Sequence, residues 1–329
     1  MVCKESTLPY LRPPLSKELW FTTQNQNLTE TDKLMFTDWH GNEKSLEFES
    51  SNYYKNLGIE TILSCEAVDF NLEKRQVELS DGQILEFDRL LIATGAEPKI
   101  IDAKIDEIAK KRVLTFRNVS DFIKLYNLLK EKEGQKIVVV GGGFLGSELA
   151  VAISKIGNQM NHSVIQVFPE DGHMGLVFPK YLSQWTTEKV SELGVKVKSG
   201  RSVISIEGKE DSCSCLKLIL DNGQEISADH VIVAVGVEPN LMKSFKSILP
   251  IDKEFGGLEA DKFLQVVPGV FAAGDVVSYL DPVLGCRRRT EHFDHAILSG
   301  KLAGFNMVKS MTSEDEDELE SYSNQSMFW

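Results

Sequence analysis

Within the stretch KIVVVGGGFLGSELA, residues 136–150, three glycines stand at the spacing Gly141-x-Gly143-x-x-Gly146, after a β-branched apolar run and before a segment of helical pattern. Each glycine answers a different demand. Gly141 permits a tight turn, Gly143 lets the main chain approach a pyrophosphate, and Gly146 lets helix and strand pack closely. The next apolar run, SVIQVF (163–168), is followed by Glu170, and a carboxylate about 20 to 25 residues beyond such glycines can accept hydrogen bonds from a ribose. This order of strand, glycines, helix, strand and acid points to a dinucleotide site rather than to an ordinary strand-turn-helix. A second carboxylate, Asp275, closes the buried run VFAAGDVV (270–277). At the carboxyl end of a strand in an α/β sheet, where ligands collect, it could reach a cofactor's ribityl chain or phosphate linker.

Other reactive residue types carry less. His292 and His295 flank Asp294 and could do acid-base or metal chemistry, yet at a helix start such a cluster reads as capping and packing. The five cysteines, Cys3, Cys65, Cys213, Cys215 and Cys286, are odd in number and contain no C-x-x-C, so neither a disulfide framework nor a zinc site is indicated. Cys213 and Cys215 would share a strand face that a metal could use, but they read as ordinary strand residues, and no metal site is expected. Trp185, in an amphipathic helical pattern, reads as core.

The elements that must position these residues follow from composition and from a repeat. A chain of 329 residues, 42% hydrophobic, can bury a sizeable core in two or more domains. Its net charge of −13 argues against strong nucleic-acid binding. The one basic run, Arg287-Arg288-Arg289, reads as a solvated loop or a salt-bridged turn. No apolar run approaches the ~20 residues of a membrane span, and MVCKESTLPYLRPPLSK has the features of neither a signal nor a transit peptide. The acidic run TSEDEDELESYSN (312–324) reads as solvated and disordered.

Residues 52–98 and 187–239 carry one pattern twice. YYKNLGIETIL, LSDGQILEFD and RLLIATGAEP align with KVSELGVKVKSG, LDNGQEISAD and HVIVAVGVEP. In both, a helix ends at Leu-Gly, a hairpin turns at Asp-Gly or Asn-Gly, and a buried strand stops at a glycine (Gly95; Gly236) before Glu-Pro. This is the back half of a dinucleotide-binding domain: third parallel strand, β-meander, returning strand. The second copy is preceded by its glycine loop; the first is preceded by a Pro-rich segment, the short helix candidate SKELWF and the polar stretch TTQNQNLTETDK.

With A-T-G, G-x-G-x-x-G, A-x-G and A-G-D in this order, the chain resembles the two-dinucleotide-fold flavoproteins, an α/β class with Rossmann-like FAD- and NAD(P)-binding domains. Within them it is similar to flavoproteins of the apoptosis-inducing-factor type. The stretches that carry this likeness are LPYLRPPLSKELWF, GGGFLGSELA, FPEDGHMG, YLSQWTTEKV, AVGVEPN, AAGDVV, EHFDHA and the terminal NQSMFW. The resemblance implies an FAD-binding domain over 1–117, resumed over 238–326, around an NADH-binding domain over 118–237. Residues 327–329 would begin a further domain, and the first domain would lack its N-terminal βαβ.

The resemblance also implies roles. FAD would be contacted by Arg12 and Lys17, by the backbone near Ala67, and by Arg117, Asp275, Glu291, His292 and Trp329. NADH would lie on Gly142, Gly143, Phe144 and Leu145, with Glu170 on its ribose and Gly236 nearby. Lys17 and Glu148 would pair beside the flavin. The implied reaction is hydride transfer from NADH to FAD and on to an unspecified electron acceptor; Glu170 disfavours a 2′-phosphate. A disulfide reductase of the same superfamily is disfavoured because its redox cysteine pair is absent. The family also implies a mitochondrial intermembrane-space setting, a part in respiratory-chain maintenance and programmed cell death, nuclear relocation, and a homodimer on NADH reduction. The chain departs from the pattern at Lys4, where a ribose-binding acid is expected, at Leu176, where a lysine is common, and at Phe293, which replaces a histidine. The alternative reading is a truncated, non-catalytic NADH-binding protein that does not hold FAD.

Overall fold

The computed structural model describes every residue except 23–26, 30–31, 158–159, 209–214, 313–317 and 326–329. Trp329 and Cys213 therefore lie outside the described residues. The chain forms two compact units, one made of Pro9–Phe48 with Pro98–Gly236, the other of Met1–Leu8, Glu49–Glu97 and Val237–Trp329.

The unit that carries the glycine loop is built on a five-stranded parallel sheet in the order Val195–Lys198, Ser163–Val167, Lys136–Val140, His230–Val233, Val113–Thr115. Its central strands are covered on both faces and read as unbroken β-branched runs, as parallel strands must. Ile137, Val138 and Val139, and their neighbours Val231 and Ile232, are fully buried. From Val140 the chain enters the helix Phe144–Gly157 and returns as Ser163–Val167 on one side, while His230–Val233 pairs on the other. That divergence is the topological switch point, where a crevice opens at the carboxyl ends of the strands. The meander expected from the repeat is present as Val203–Gly208, Leu216–Leu220 and Glu225–Ala228, all antiparallel, turning at Gly223 with φ +80°.

Pro9–Phe48 packs with this unit, although the sequence pattern groups it with the first domain. Leu15, Leu19 and Trp20 are buried in one cluster with Phe122 and Tyr126, and the Trp20 ring meets Phe122 edge-on at 5.1 Å. A Trp-Phe contact of this kind fixes a short segment more firmly than its own four-residue helix, Leu19–Thr22, could.

In the other unit the first repeat copy gives the same antiparallel meander, Ala67–Asn71, Gln76–Leu79 and Ile84–Glu86, turning at Gly82 with φ +86°. Its returning strand Leu90–Ile92 pairs in parallel with Val270–Ala272, which is joined in turn by Gln265–Val267. The helix Phe293–Thr312 buries Ala303 in the same core as Val270, Phe271 and Tyr279. Arg287, Arg288 and Arg289 sit in a strand, Cys286–Arg289, and each is ion-paired: with Glu259 at 3.2 Å, Asp281 at 2.9 Å and Glu291 at 2.6 Å.

Two expectations are corrected. Trp185 is not core: it is 54% exposed, because its helix Lys180–Glu192 buries only Ser183 and Val190. The acidic stretch 312–324 is not solvated throughout, since Tyr322 is 3% exposed. Its backbone N–H donates to Lys262 O at 2.8 Å, and Asn306 clasps Glu320 through both of its amide atoms. Residues 313–317 of that stretch lie outside the described residues.

Candidate functional site

The glycine loop closes against the carboxyl end of the neighbouring strand. Gly141 has φ +124°, and a Cβ there would stand 2.2 Å from Ala234 O. A Cβ on Gly142 would strike the Phe168 ring at 2.5 Å, and one on Gly146 would lie 2.4 Å from Gly141 O. Gly143 differs: a Cβ there meets nothing within 4 Å, so the protein itself does not require a glycine at this position. The helix Phe144–Gly157 begins at the next residue, and the dipole at a helix N-terminus favours an anion. Phe144 is 38% exposed and Leu145 packs against the core. Gly236, φ +103°, follows the neighbouring strand, and its carbonyl accepts from Lys99 N–H at 2.9 Å.

Glu170 stands just beyond Ser163–Val167, half-buried, its backbone carbonyl accepting from Gly200 N–H at 2.8 Å. The strand before it hides a polar residue that the pattern SVIQVF had disclosed without its meaning. Gln166 and His173 are both fully buried. The Gln166 amide NH₂ donates to Gly141 O at 2.8 Å, so its Oε1, 2.9 Å from His173 Nε2, accepts, which places a proton on that nitrogen. His173 Nδ1 lies 3.0 Å from Thr187 Oγ1, and His173 N–H donates to the same hydroxyl at 2.9 Å. Burial holds the His173 pKa down to about 4, so the ring is neutral. A glutamine in a strand buried on both faces must find partners; that rule is the signal that could have exposed this network.

In the same unit the Pro-rich segment forms the 3-10 turn Pro13–Ser16, with Lys17 as its C-cap. Lys17 Nζ lies 3.0 Å from Glu148 Oε1, and the buried Ser16 hydroxyl donates to Glu148 Oε2 at 2.6 Å. Ser16 was not foreseen. Arg12 Nη1 donates to Tyr10 OH at 2.8 Å and to Arg117 O at 2.9 Å. Arg117 is held in turn by its N–H on Asp121 Oδ2 at 2.7 Å, beside the capping box of Asn118 and Asp121. Arg12, Lys17, Arg117 and Glu148 thus share one unit with the glycine loop.

Ala67, Asp275, Glu291 and His292 belong to the other unit. Asp275 sits in the 3-10 turn Gly274–Val276, after a strand end at which Gly274, φ +74°, donates its N–H to the buried Ser299 hydroxyl at 3.0 Å. Arg289 reaches Asp275 O at 3.4 Å and pairs with Glu291 at 2.6 Å. His292 Nδ1 accepts from Asp294 N–H at 3.3 Å, while Ala67 opens the strand Ala67–Asn71. His295 is fully buried, stacked on Tyr279 at 5.0 Å, with Nδ1 2.7 Å from Tyr322 OH. Burial lowers its pKa to about 4, in keeping with a packed residue rather than an acid-base catalyst. Among the described residues no group of His, Cys, Asp and Glu could hold a metal ion, and no helix is long and apolar enough to cross a membrane.

Comparison with known proteins agrees with this geometry. Residues 1–300 match the family described as pyridine nucleotide-disulphide oxidoreductase. The chain is 38% identical over its full length to apoptosis-inducing factor 1, mitochondrial, of Dictyostelium discoideum, covering 59% of that protein. It is likewise 38% identical over its full length to putative apoptosis-inducing factor 1, mitochondrial, of Drosophila melanogaster, covering 44%. It therefore spans about half the length of these relatives. Among solved structures, a ferredoxin reductase of Rhodopseudomonas palustris shares its fold, with a TM-score of 0.79 at 24% identity over 98% of this chain and 70% of that one.

Proposed function

The chain belongs to the pyridine nucleotide-disulphide oxidoreductase family, and from that premise we propose that it is part of an NADH-dependent FAD oxidoreductase of the apoptosis-inducing-factor type. The observation that carries this reading is the switch-point crevice, where Gly143 presents an open face with Glu170 at the end of the adjacent strand. NADH would occupy the domain over 118–237, its pyrophosphate on Gly142, Gly143, Phe144 and Leu145, its ribose hydroxyls on Glu170, with Gly236 beside it. A carboxylate there accepts from a 2′-hydroxyl and repels a 2′-phosphate, which favours NADH over NADPH.

FAD would be the second cofactor, with contacts expected from the family resemblance at Arg12, Lys17, Ala67, Arg117, Asp275, Glu291, His292 and Trp329. When bound it supplies the hydride acceptor for the nicotinamide. The protein contributes placement and charge. Lys17 offers a cation that can stabilise negative charge on a reduced ring system. Glu148, with Ser16 and Lys17 on its two oxygens, fixes the direction in which that cation points. Arg12, tied to the Arg117 carbonyl, keeps the Pro-rich segment in register with the helix Val119–Glu131. The relatives' names support extending the proposal to a mitochondrial setting and a role in cell death; an intermembrane-space location, nuclear relocation and a part in respiratory-chain maintenance are proposed on the family resemblance alone. Two copies would associate on NADH reduction, and electrons would pass to an acceptor other than a cysteine pair.

The test is the visible absorption spectrum of the purified 329-residue chain before and after anaerobic NADH. A stoichiometric flavin band that bleaches with NADH is the expected result. No flavin band, with NADH still protecting residues 118–237 from proteolysis, would instead identify a non-catalytic NADH-binding protein.

A further inference from the structure

The two rims of the nucleotide crevice, the glycine loop and Glu170, lie at the ends of adjacent strands and are joined by a loop, 169–175, that must keep them at a set separation. Two backbone bonds contribute: Met174 N–H donates to Gly142 O at 2.8 Å, and Gly200 N–H to Glu170 O at 2.8 Å. The third tie is made of side chains. Gln166 donates to the carbonyl of Gly141, a residue at φ +124° where an added Cβ would collide with Ala234 O. His173, in the loop that carries Glu170, grips Gln166 through Nε2 and Thr187 through Nδ1. Thr187 belongs to the helix Lys180–Glu192. Its hydroxyl oxygen accepts from His173 N–H at 2.9 Å and donates to Ser183 O at 2.8 Å, with His173 Nδ1 3.0 Å away, so the loop residue is seated on the helix through Thr187.

We propose that Gln166, His173 and Thr187 form a positioning relay that holds Glu170 at the distance from the glycine loop that NADH spans. This inference rests on the NADH reading above. Gly172 adds a geometric reason: a Cβ there would stand 2.6 Å from Ser183 Oγ and 2.9 Å from Thr187 Oγ1, so the loop is drawn close against the helix at the point where the relay crosses. Burying a Gln–His–Thr chain where aliphatic side chains would fill the space costs desolvation; the return is a fixed direction for the Gly141 carbonyl and a fixed seat for the loop. The three residues act only through Gly141 and Glu170.

The test titrates NADH into the full chain by calorimetry, with folding checked by circular dichroism, for the unmodified protein and for Gln166→Met, Thr187→Val, Thr187→Ser and the double variant Gln166→Met/Thr187→Val. Gln166→Met removes the bonds to Gly141 O and His173 Nε2, and Thr187→Val removes those to His173; with Glu170 no longer held, each should bind NADH about tenfold more weakly. Thr187→Ser keeps the hydroxyl and should bind within about twofold of the unmodified chain. Because both disruptive changes break the same relay, the double variant should be about tenfold weaker, not the hundredfold that independent sites give. The relay is overturned if the folded single variants bind like the unmodified chain, if Thr187→Ser loses as much as Thr187→Val, or if the losses multiply. An unmodified chain that binds no NADH overturns the nucleotide reading itself, and the relay with it.

Discussion

The two copies of the repeat, one in each unit, share a meander and an equal spacing from Asp88 to Gly95 and from Asp229 to Gly236, yet their returning strands live in different surroundings. His230–Val233 is flanked on both sides by parallel partners, and Val231 and Ile232 are fully buried. Leu90–Ile92 pairs with Val270–Ala272 alone among the described strands, and only Ile92 is buried. The hairpin chemistry, Asp-Gly or Asn-Gly with the glycine at positive φ, is local and comes out the same in both places. Burial is not local: it depends on which strands and helices the rest of the unit supplies. A supersecondary pattern can therefore be read from a short stretch, whereas the depth of the core around it cannot.

That contrast can be broken most forcefully at the glycines. Gly141→Ala places a methyl group 2.2 Å from Ala234 O at φ +124°, and urea unfolding should show the glycine-loop unit destabilised by more than about 3 kcal/mol. Gly274→Ala in the other unit meets only Ala296 at 3.7 Å, so its cost is the positive φ, about 1 to 2 kcal/mol. Equal losses at the two positions would refute the claim that close approach, not conformation, dominates at Gly141.

Acid should act on both units by one mechanism. His173 and His295 each have a pKa lowered from 6.5 to about 4 by burial. The unfolded chain binds the proton first as pH falls, so the stability these residues contribute is complete above about pH 6.5 and is lost as pH drops towards 4, by up to roughly 3 kcal/mol each. Denaturant titrations at pH 7 and pH 5 check the sign; a stability that rises between pH 7 and pH 5 would contradict neutral, buried rings in either unit.

Smaller changes sharpen the comparison. Tyr322→Phe removes the hydroxyl partner of His295 Nδ1 and should cost about 1 to 2 kcal/mol, read as a lower midpoint in thermal unfolding. Lys17→Met should cost no more than about 0.5 kcal/mol, because the ion pair to Glu148 is 45% exposed on the lysine side. The same variant should slow the bleaching of bound flavin by NADH, a separation of stability from reaction that a purely structural lysine would not produce.

What was legible in the sequence was whatever depends on near neighbours. Gly141 and Gly146 have the close contacts their spacing implies, the strand Lys136–Val140 is the β-branched run that precedes them, and helices stand at 144–157 and 293–312. Lys17 lies beside Glu148, a pairing that came from resemblance and not from pattern. What escaped depends on distant partners. Ser16 passes for a loop serine until Glu148 arrives beside it. Gln166, His173 and Thr187 lie on a strand, a loop and a helix with nothing in their spacing to join them. Trp185 read as core because a large aromatic in an amphipathic helix usually is, but the burial of Val190 and Ser183 turns a different face inward.

The glycine loop also separates two kinds of selection within a few positions. At Gly141, Gly142 and Gly146 an added methyl collides with the protein's own atoms, so tolerance there measures whether the unit can fold. At Gly143 the added methyl meets open space, so any penalty it carries comes from whatever molecule approaches the loop. A library of substitutions scored once for abundance and once for nucleotide retention would see the two scores part at that residue and move together at its neighbours.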